Sequence, residues 1–80
     1  MKYTERTSKL GTRRVYSFDN GYEASVVNWG YGSERGLWEL AVMHSGNIIY
    51  DTPITDYVLG WLTLNEVEEI CNQIAQLPPR

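Results

Sequence analysis

Residues 15–28 read Val15-Tyr16-Ser17-Phe18-Asp19-Asn20-Gly21-Tyr22-Glu23-Ala24-Ser25-Val26-Val27-Asn28. Two β-prone runs flank Asp19-Asn20-Gly21. Asn-Gly in that setting is the strongest short hairpin signal, because both central residues of a type I′ turn need positive φ. The stretch predicts a strand over Val15–Phe18, a tight turn at Asn20-Gly21 and a return strand over Tyr22–Asn28.

Working outward, Trp29–Gly36 carries three glycines in eight residues. That is loop chemistry, longer than a tight turn requires. Leu37–Met43 reads as a third strand, apolar on both faces and therefore central. His44-Ser45-Gly46-Asn47 supplies a turn, and Ile48–Asp51 a fourth strand. Thr52-Pro53 closes the sheet region, and Thr55-Asp56 is placed to cap a single turn through Tyr57, Val58 and Leu59, ended by Gly60. Thr63 and Glu66 match the reciprocal capping box. Behind them Val67, Ile70, Cys71, Ile74 and Leu77 recur at steps of three and four, one apolar stripe that Pro78-Pro79 stops. The expected fold class is α+β, a four-stranded antiparallel β-meander with a C-terminal helix packed on one face.

The chain has 80 residues, of which 42% are hydrophobic and 21% charged. That is room for one domain with a small core. Its net charge of −3 hides a division. Lys2, Arg6, Lys9, Arg13 and Arg14 stand against Glu5 alone before residue 15, a net of +4; beyond it Arg35 and Arg80 face nine acids, a net of −7. Residues 1–13 therefore read as a basic N-terminal arm, with room for one short added strand, and residues 14–80 as a single α+β domain. The arm either touches phosphates or folds back on the acidic body, and the second needs no further assumption. An acidic body repels phosphates and disfavours direct nucleic-acid binding. Cys71 is the single cysteine, so no internal disulfide forms. No apolar stretch follows the N-terminal cations, as a signal peptide would require, and none is long enough for a membrane span, so a cytoplasmic location is expected.

Reactive groups are few. Cys71 lies on the apolar stripe, where a thiol has neither exposure nor a base and serves as a small core residue. His44 stands beside a Ser-Gly-Asn turn. One histidine and one cysteine cannot close a zinc site, and no nucleophile elbow or phosphate-cradling loop is present, so no metal and no cofactor are expected. Glu23 and Glu39, on adjacent expected strands, could face each other as an acid/base pair or stand as two solvated side chains. The sequence thus points away from an enzyme, with no catalytic residue.

The binding candidates are Trp29, Tyr31, Glu34 and Arg35 in the glycine loop, together with Glu66 and Glu69 at the start of the helix. Aromatics and Arg anchor protein interfaces; the rings could equally fold back over the end of a small core. Glu66, Glu68 and Glu69 complement the helix macrodipole, and with Asp51 and Asp56 could also imitate a phosphate backbone. Tyr22, Trp38, Tyr50 and Trp61 read as core.

Asn20-Gly21-Tyr22-x-Ala24-Ser25-Val26-Val27, Leu37-Trp38-Glu39-Leu40-Ala41-Val42, Tyr50-Asp51-Thr52-Pro53-Ile54-Thr55-Asp56 and Val58-x-Gly60-x-Leu62-Thr63 together resemble short uncharacterised proteins encoded by bacteriophages and prophages. The likeness spans roughly residues 16–77 and carries no catalytic residues across. It implies a class of small acidic proteins that inhibit or adapt host machinery, anti-CRISPR and anti-restriction proteins among them. The basic arm departs from a pure nucleic-acid mimic. Three readings follow. The first is a phage-type protein that binds and inhibits a bacterial host protein, in particular a defence complex that handles nucleic acid, inside the bacterial cell. The second is a homo-oligomeric structural or assembly accessory of the virion, which makes a homodimer possible. The third is a nucleic-acid-binding regulator using the arm.

Overall fold

In the computed structural model, which describes residues 2–55 and 57–80, the chain runs β1 (Tyr3–Ser8), β2 (Gly11–Ser17), β3 (Tyr22–Val27), a single 3-10 turn (Ser33–Arg35), β4 (Trp38–His44), β5 (Asn47–Ile48), β6 (Leu59–Leu62) and α1 (Leu64–Ala75). All strand pairings are antiparallel. The sheet order is β1-β2-β3-β4, and β5 and β6 share the remaining edge of β4. The α+β class and the meander hold, but the sheet has six strands where four were expected.

The hairpin forms at the expected place with a different turn. Phe18–Gly21 closes through Gly21 N–H to the Phe18 carbonyl (3.2 Å), and Phe18 N–H donates to the Tyr22 carbonyl (3.0 Å). Positive φ occurs at Gly21 (90°) and not at Asn20. This is a three-residue turn ending in a left-handed glycine, rather than type I′. Asn20 is thereby freed for another task. Its amide donates to the carbonyls of Ile74 (2.8 Å), in the last turn of α1, and Leu77 (3.0 Å), just past it, while its oxygen accepts from Tyr22 N–H (3.1 Å).

Alternation sorts the strands into two faces. One face carries Tyr16, Tyr22, Ala24, Val26, Leu40 and Val42, all buried, and receives Val67, Cys71 and Ile74 of α1. The register sets Tyr16, Ala24 and Val42 side by side across β2, β3 and β4. Helix and sheet each bury the stripe the other exposes, worth roughly 1.5–3 kcal/mol for each large side chain. The helix begins with the expected capping box: Thr63 Oγ1 accepts from Glu66 N–H (3.2 Å), and the Glu66 carboxylate accepts from Thr63 N–H (3.0 Å). The opposite face is open.

The short added strand allowed for in residues 1–13 forms: residues 3–8 make β1, paired with β2 from Tyr3↔Tyr16 to Ser8↔Gly11. Tyr3 lies 5.0 Å from the ring of Tyr16, and Arg14 places its guanidinium over Tyr3 (4.4 Å) and Trp38 (5.6 Å) while pairing with Glu5 (2.7 Å) and donating to Tyr16 Oη (3.1 Å). Helix α1 touches β3, β4 and β6, and beyond its reach this cation–aromatic stack covers the sheet. Glu5 of this segment pairs with Arg14 at the start of the body, and among the described residues no cation before residue 14 pairs with an acid of the body.

The fourth expected strand, Ile48–Asp51, is reduced to Asn47–Ile48, with one further bond from Ile49 N–H to the Val42 carbonyl (2.8 Å). The edge it would have occupied is shared with β6. Leu59, expected to finish a helical turn, instead opens that strand opposite Leu40. Of the expected Thr55-Asp56 cap, Thr55 Oγ1 does accept from Tyr57 N–H (3.0 Å), and Asp56 lies outside the described residues.

Candidate functional site

The loop after β3 is held at every step. Asn28 Oδ1 accepts from Thr12 N–H (2.8 Å), and Trp29 follows, its ring against Gly11. Tyr31 N–H donates to the Glu39 carboxylate (2.8 Å), which also fills the space beside Gly30. The Tyr31 carbonyl accepts from Trp61 N–H (3.0 Å). Gly32, at φ 97°, lies so close to the Trp61 backbone that a Cβ there would stand 2.8 Å from Trp61 Cα. The 3-10 turn then closes through Arg35 N–H to Gly32 O and Gly36 N–H to Ser33 O, both 3.0 Å. Three glycines in eight residues signal close backbone approach here.

β6 meets this loop with a bulge. Trp38 pairs with Leu62 and Leu40 with Leu59, so Gly60 and Trp61 together oppose Glu39 alone. At Gly60 a Cβ would stand 2.5 Å from that of Tyr31. Trp61 takes φ 61°, the left-handed region a bulky residue enters at a cost of about 1–2 kcal/mol. That strain does not bury the residue. Trp61 is 52% exposed and Tyr31 58%. The expectation that Trp61 and Tyr50 are core is therefore corrected, since Tyr50 is also exposed, stacked on Tyr57 at 6.0 Å. Tyr22 is buried, and Trp38 is half-buried against the core.

The structure thus joins Tyr31 to Trp61 and Glu39, neither of which stood among the binding candidates, while the Trp29 ring lies apart against Gly11. Glu34 and Arg35 belong to the 3-10 turn, exposed and without an ion pair among the described residues. Glu66 is committed to the capping box and Glu69 is exposed on α1, a separate element that follows β6. Sequence alone gave one signal for Trp61: Gly60 beside a tryptophan in a strand-prone Leu-Gly-Trp-Leu run suggests a bulge.

The other reactive groups lie elsewhere. Glu23 pairs with Met43 and Glu39 with Val27, so the two carboxylates are not opposed across the ladder. Cys71 is fully buried, and burial first, with the charge of Glu68 second, pushes its thiol up to about 12. His44 touches Tyr22 edge-on at 5.6 Å and shares a hydrogen bond with Ser45 Oγ (3.1 Å). No helix of the described residues is long and apolar enough to cross a membrane. No protein-family model, curated protein or solved structure matches the chain.

Proposed function

We propose that this chain is a binding protein whose docking surface is centred on Tyr31 and Trp61 and bordered by Glu34 and Arg35. One observation carries the reading: Trp61 is held in a strained conformation, locked by its bond to Tyr31, with half of its surface in solvent. Strain that leaves a tryptophan half exposed supports a role outside the fold. Rigid exposed aromatics lose little conformational freedom on docking, the property that makes Trp and Tyr interface anchors.

In the phage setting that the resemblance implies, the partner is a bacterial host protein, of the defence complexes that handle nucleic acid, and docking inhibits it. The acidic charge of the body steers association with a basic partner surface, while the aromatics hold the complex. Occupation of a surface needs no active site.

The test is affinity capture from bacterial lysate, followed by measurement on the purified partner with wild type and the Tyr31→Ala/Trp61→Ala double variant. The double variant is expected to lose about thirtyfold or more in affinity, equivalent to about 2 kcal/mol. An unchanged affinity in a folded double variant removes this surface from the mechanism.

A further inference from the structure

The open face of the β1–β2 hairpin carries a second, chemically distinct feature. The register sets Arg6 directly opposite Arg13. Both point to the face away from α1, as the bond from Arg13 Nε to Ser25 Oγ (3.0 Å) shows. Like charges so placed sit about 5 Å apart at Cβ and destabilise a ladder. Neither arginine has an acid within ion-pair range among the described residues, whose ion pairs are Arg14–Glu5 and Arg80–Asp51. Lys2 lines a shallow hollow beside them with Tyr3, Thr4, Val15 and Ser17. A chain that is acidic over most of its length thus places unneutralised cations at the β1–β2 end of this face, while Glu23 and Glu39 share the face farther in on β3 and β4.

The second observation is independent. β1 pairs with β2 alone, and all six of its residues are exposed, so one side of its backbone is unpartnered. A charged edge strand can be a guard against pairing. Arg6 alone would serve as that guard, and the cation directly opposite it, though it bonds Ser25, adds repulsion to the isolated fold.

We propose that the β1 edge and the Arg6–Arg13 face dock an extended acidic segment of a partner protein, added as a further strand. One of its carboxylates stands directly opposite Arg6, with Arg13 one strand behind adding to the same positive field, and its backbone completes the β1 ladder. A second copy of the chain fits less well. A two-fold axis normal to the sheet must centre on a residue to keep the faces matched. In the registers that use most of the strand, an axis on Glu5 or Arg6 opposes like residues, and one on Thr4 sets Lys2 against Arg6. A nucleic-acid strand has no peptide groups with which to complete the β1 ladder. This inference does not rest on the Tyr31–Trp61 surface.

The probe is a short synthetic peptide alternating Glu with Thr and Val, fluorescein-labelled and titrated into the full chain, beside the same peptide with Gln for Glu. The Glu peptide is expected to bind at least about tenfold more tightly, to weaken as salt rises, and to shift amide resonances of β1. Arg6→Glu should abolish that preference without lowering the melting temperature, because it replaces a repulsive pair with an attractive one. Arg13→Glu should do the same. Equal binding of the two peptides, or an Arg6→Glu variant that keeps the preference, overturns the proposal. So does tighter binding of duplex DNA than of the Glu peptide at moderate salt, or a concentration-dependent mass that Arg6→Glu abolishes, which would assign the edge to a second copy.

Discussion

The Asn20 amide donates to the main-chain carbonyl of Ile74 across 2.8 Å, so the hairpin turn closes the end of the helix packed over it. A second bond, to the Leu77 carbonyl just past the helix, ties the same side chain to the segment that leaves α1. No cation occupies the last turn of that helix, so a side-chain amide serves where a basic residue often stands.

Asn20→Ala removes both donors and the acceptor for Tyr22 N–H, and is expected to cost about 2 kcal/mol. In a domain of this size that lowers the melting temperature by about 10 °C. Asn20→Asp keeps the acceptor but aims a negative charge at the helix carbonyls, and should cost at least as much. Thermal melts followed by circular dichroism decide both.

Trp61→Gly should invert the usual effect of replacing tryptophan with glycine. Relief of the left-handed strain offsets the lost contacts of a half-exposed ring, so stability is expected to hold or to rise by about 1 kcal/mol. Gly60→Ala should instead destabilise by about 1–3 kcal/mol, because the new methyl meets the Cβ of Tyr31. Chemical denaturation of the two neighbours gives opposite signs if the bulge is strained for the surface it presents.

Arg14→Lys keeps the charge and loses the planar fork that lies over Tyr3 and Trp38 and reaches Glu5 and Tyr16 at once. It should cost about 1–2 kcal/mol and loosen β1 first. Faster amide exchange in Tyr3–Ser8 than in β3 of the variant is the expected signature. Deletion of residues 1–14 would remove this stack and half of β2. Charge reversal, rather than truncation, is therefore the way to probe the basic segment.

Cys71 supplies a pH dependence. Its folded-state value is raised from 9.0 to about 12 by burial. The unfolded thiol ionises first, so the contribution to stability is intact below pH 9 and is lost as pH rises from 9 towards 12. Cys71→Ala should flatten that alkaline limb of a stability-against-pH curve, and the native thiol should resist a maleimide reagent until the protein unfolds.

What was legible in the sequence is what neighbours in the chain decide. Asn20-Gly21 marked the turn, Thr63 and Glu66 the helix start, and the Val67–Ile74 spacing the buried stripe. The turn type was not legible, because the helix claims the Asn20 side chain from 54 positions away. β1 was legible only as room for a short added strand in residues 1–13: its polar residues become that strand through Tyr3 on Tyr16 and Arg14 between two rings. β6 was hidden because Gly60 punctuates a helix in sequence terms, whereas here it makes room for Tyr31. For the candidate surface, Trp29 and Tyr31 stood out as aromatics among glycines, while Trp61 became visible only when the bulge turned it outward.

The junction of Gly60-Trp61 with Tyr31-Gly32 has a further consequence for the order of assembly. β1 through β4 follow one another along the chain and can zip by local closure, whereas this junction joins segments about thirty residues apart and carries a larger entropic cost of loop closure. The aromatic platform is therefore among the last features to mature, and a nascent or partly unfolded chain presents none of it. Any ligand that selects Tyr31 and Trp61 together counts only finished molecules, so mature protein alone competes for it.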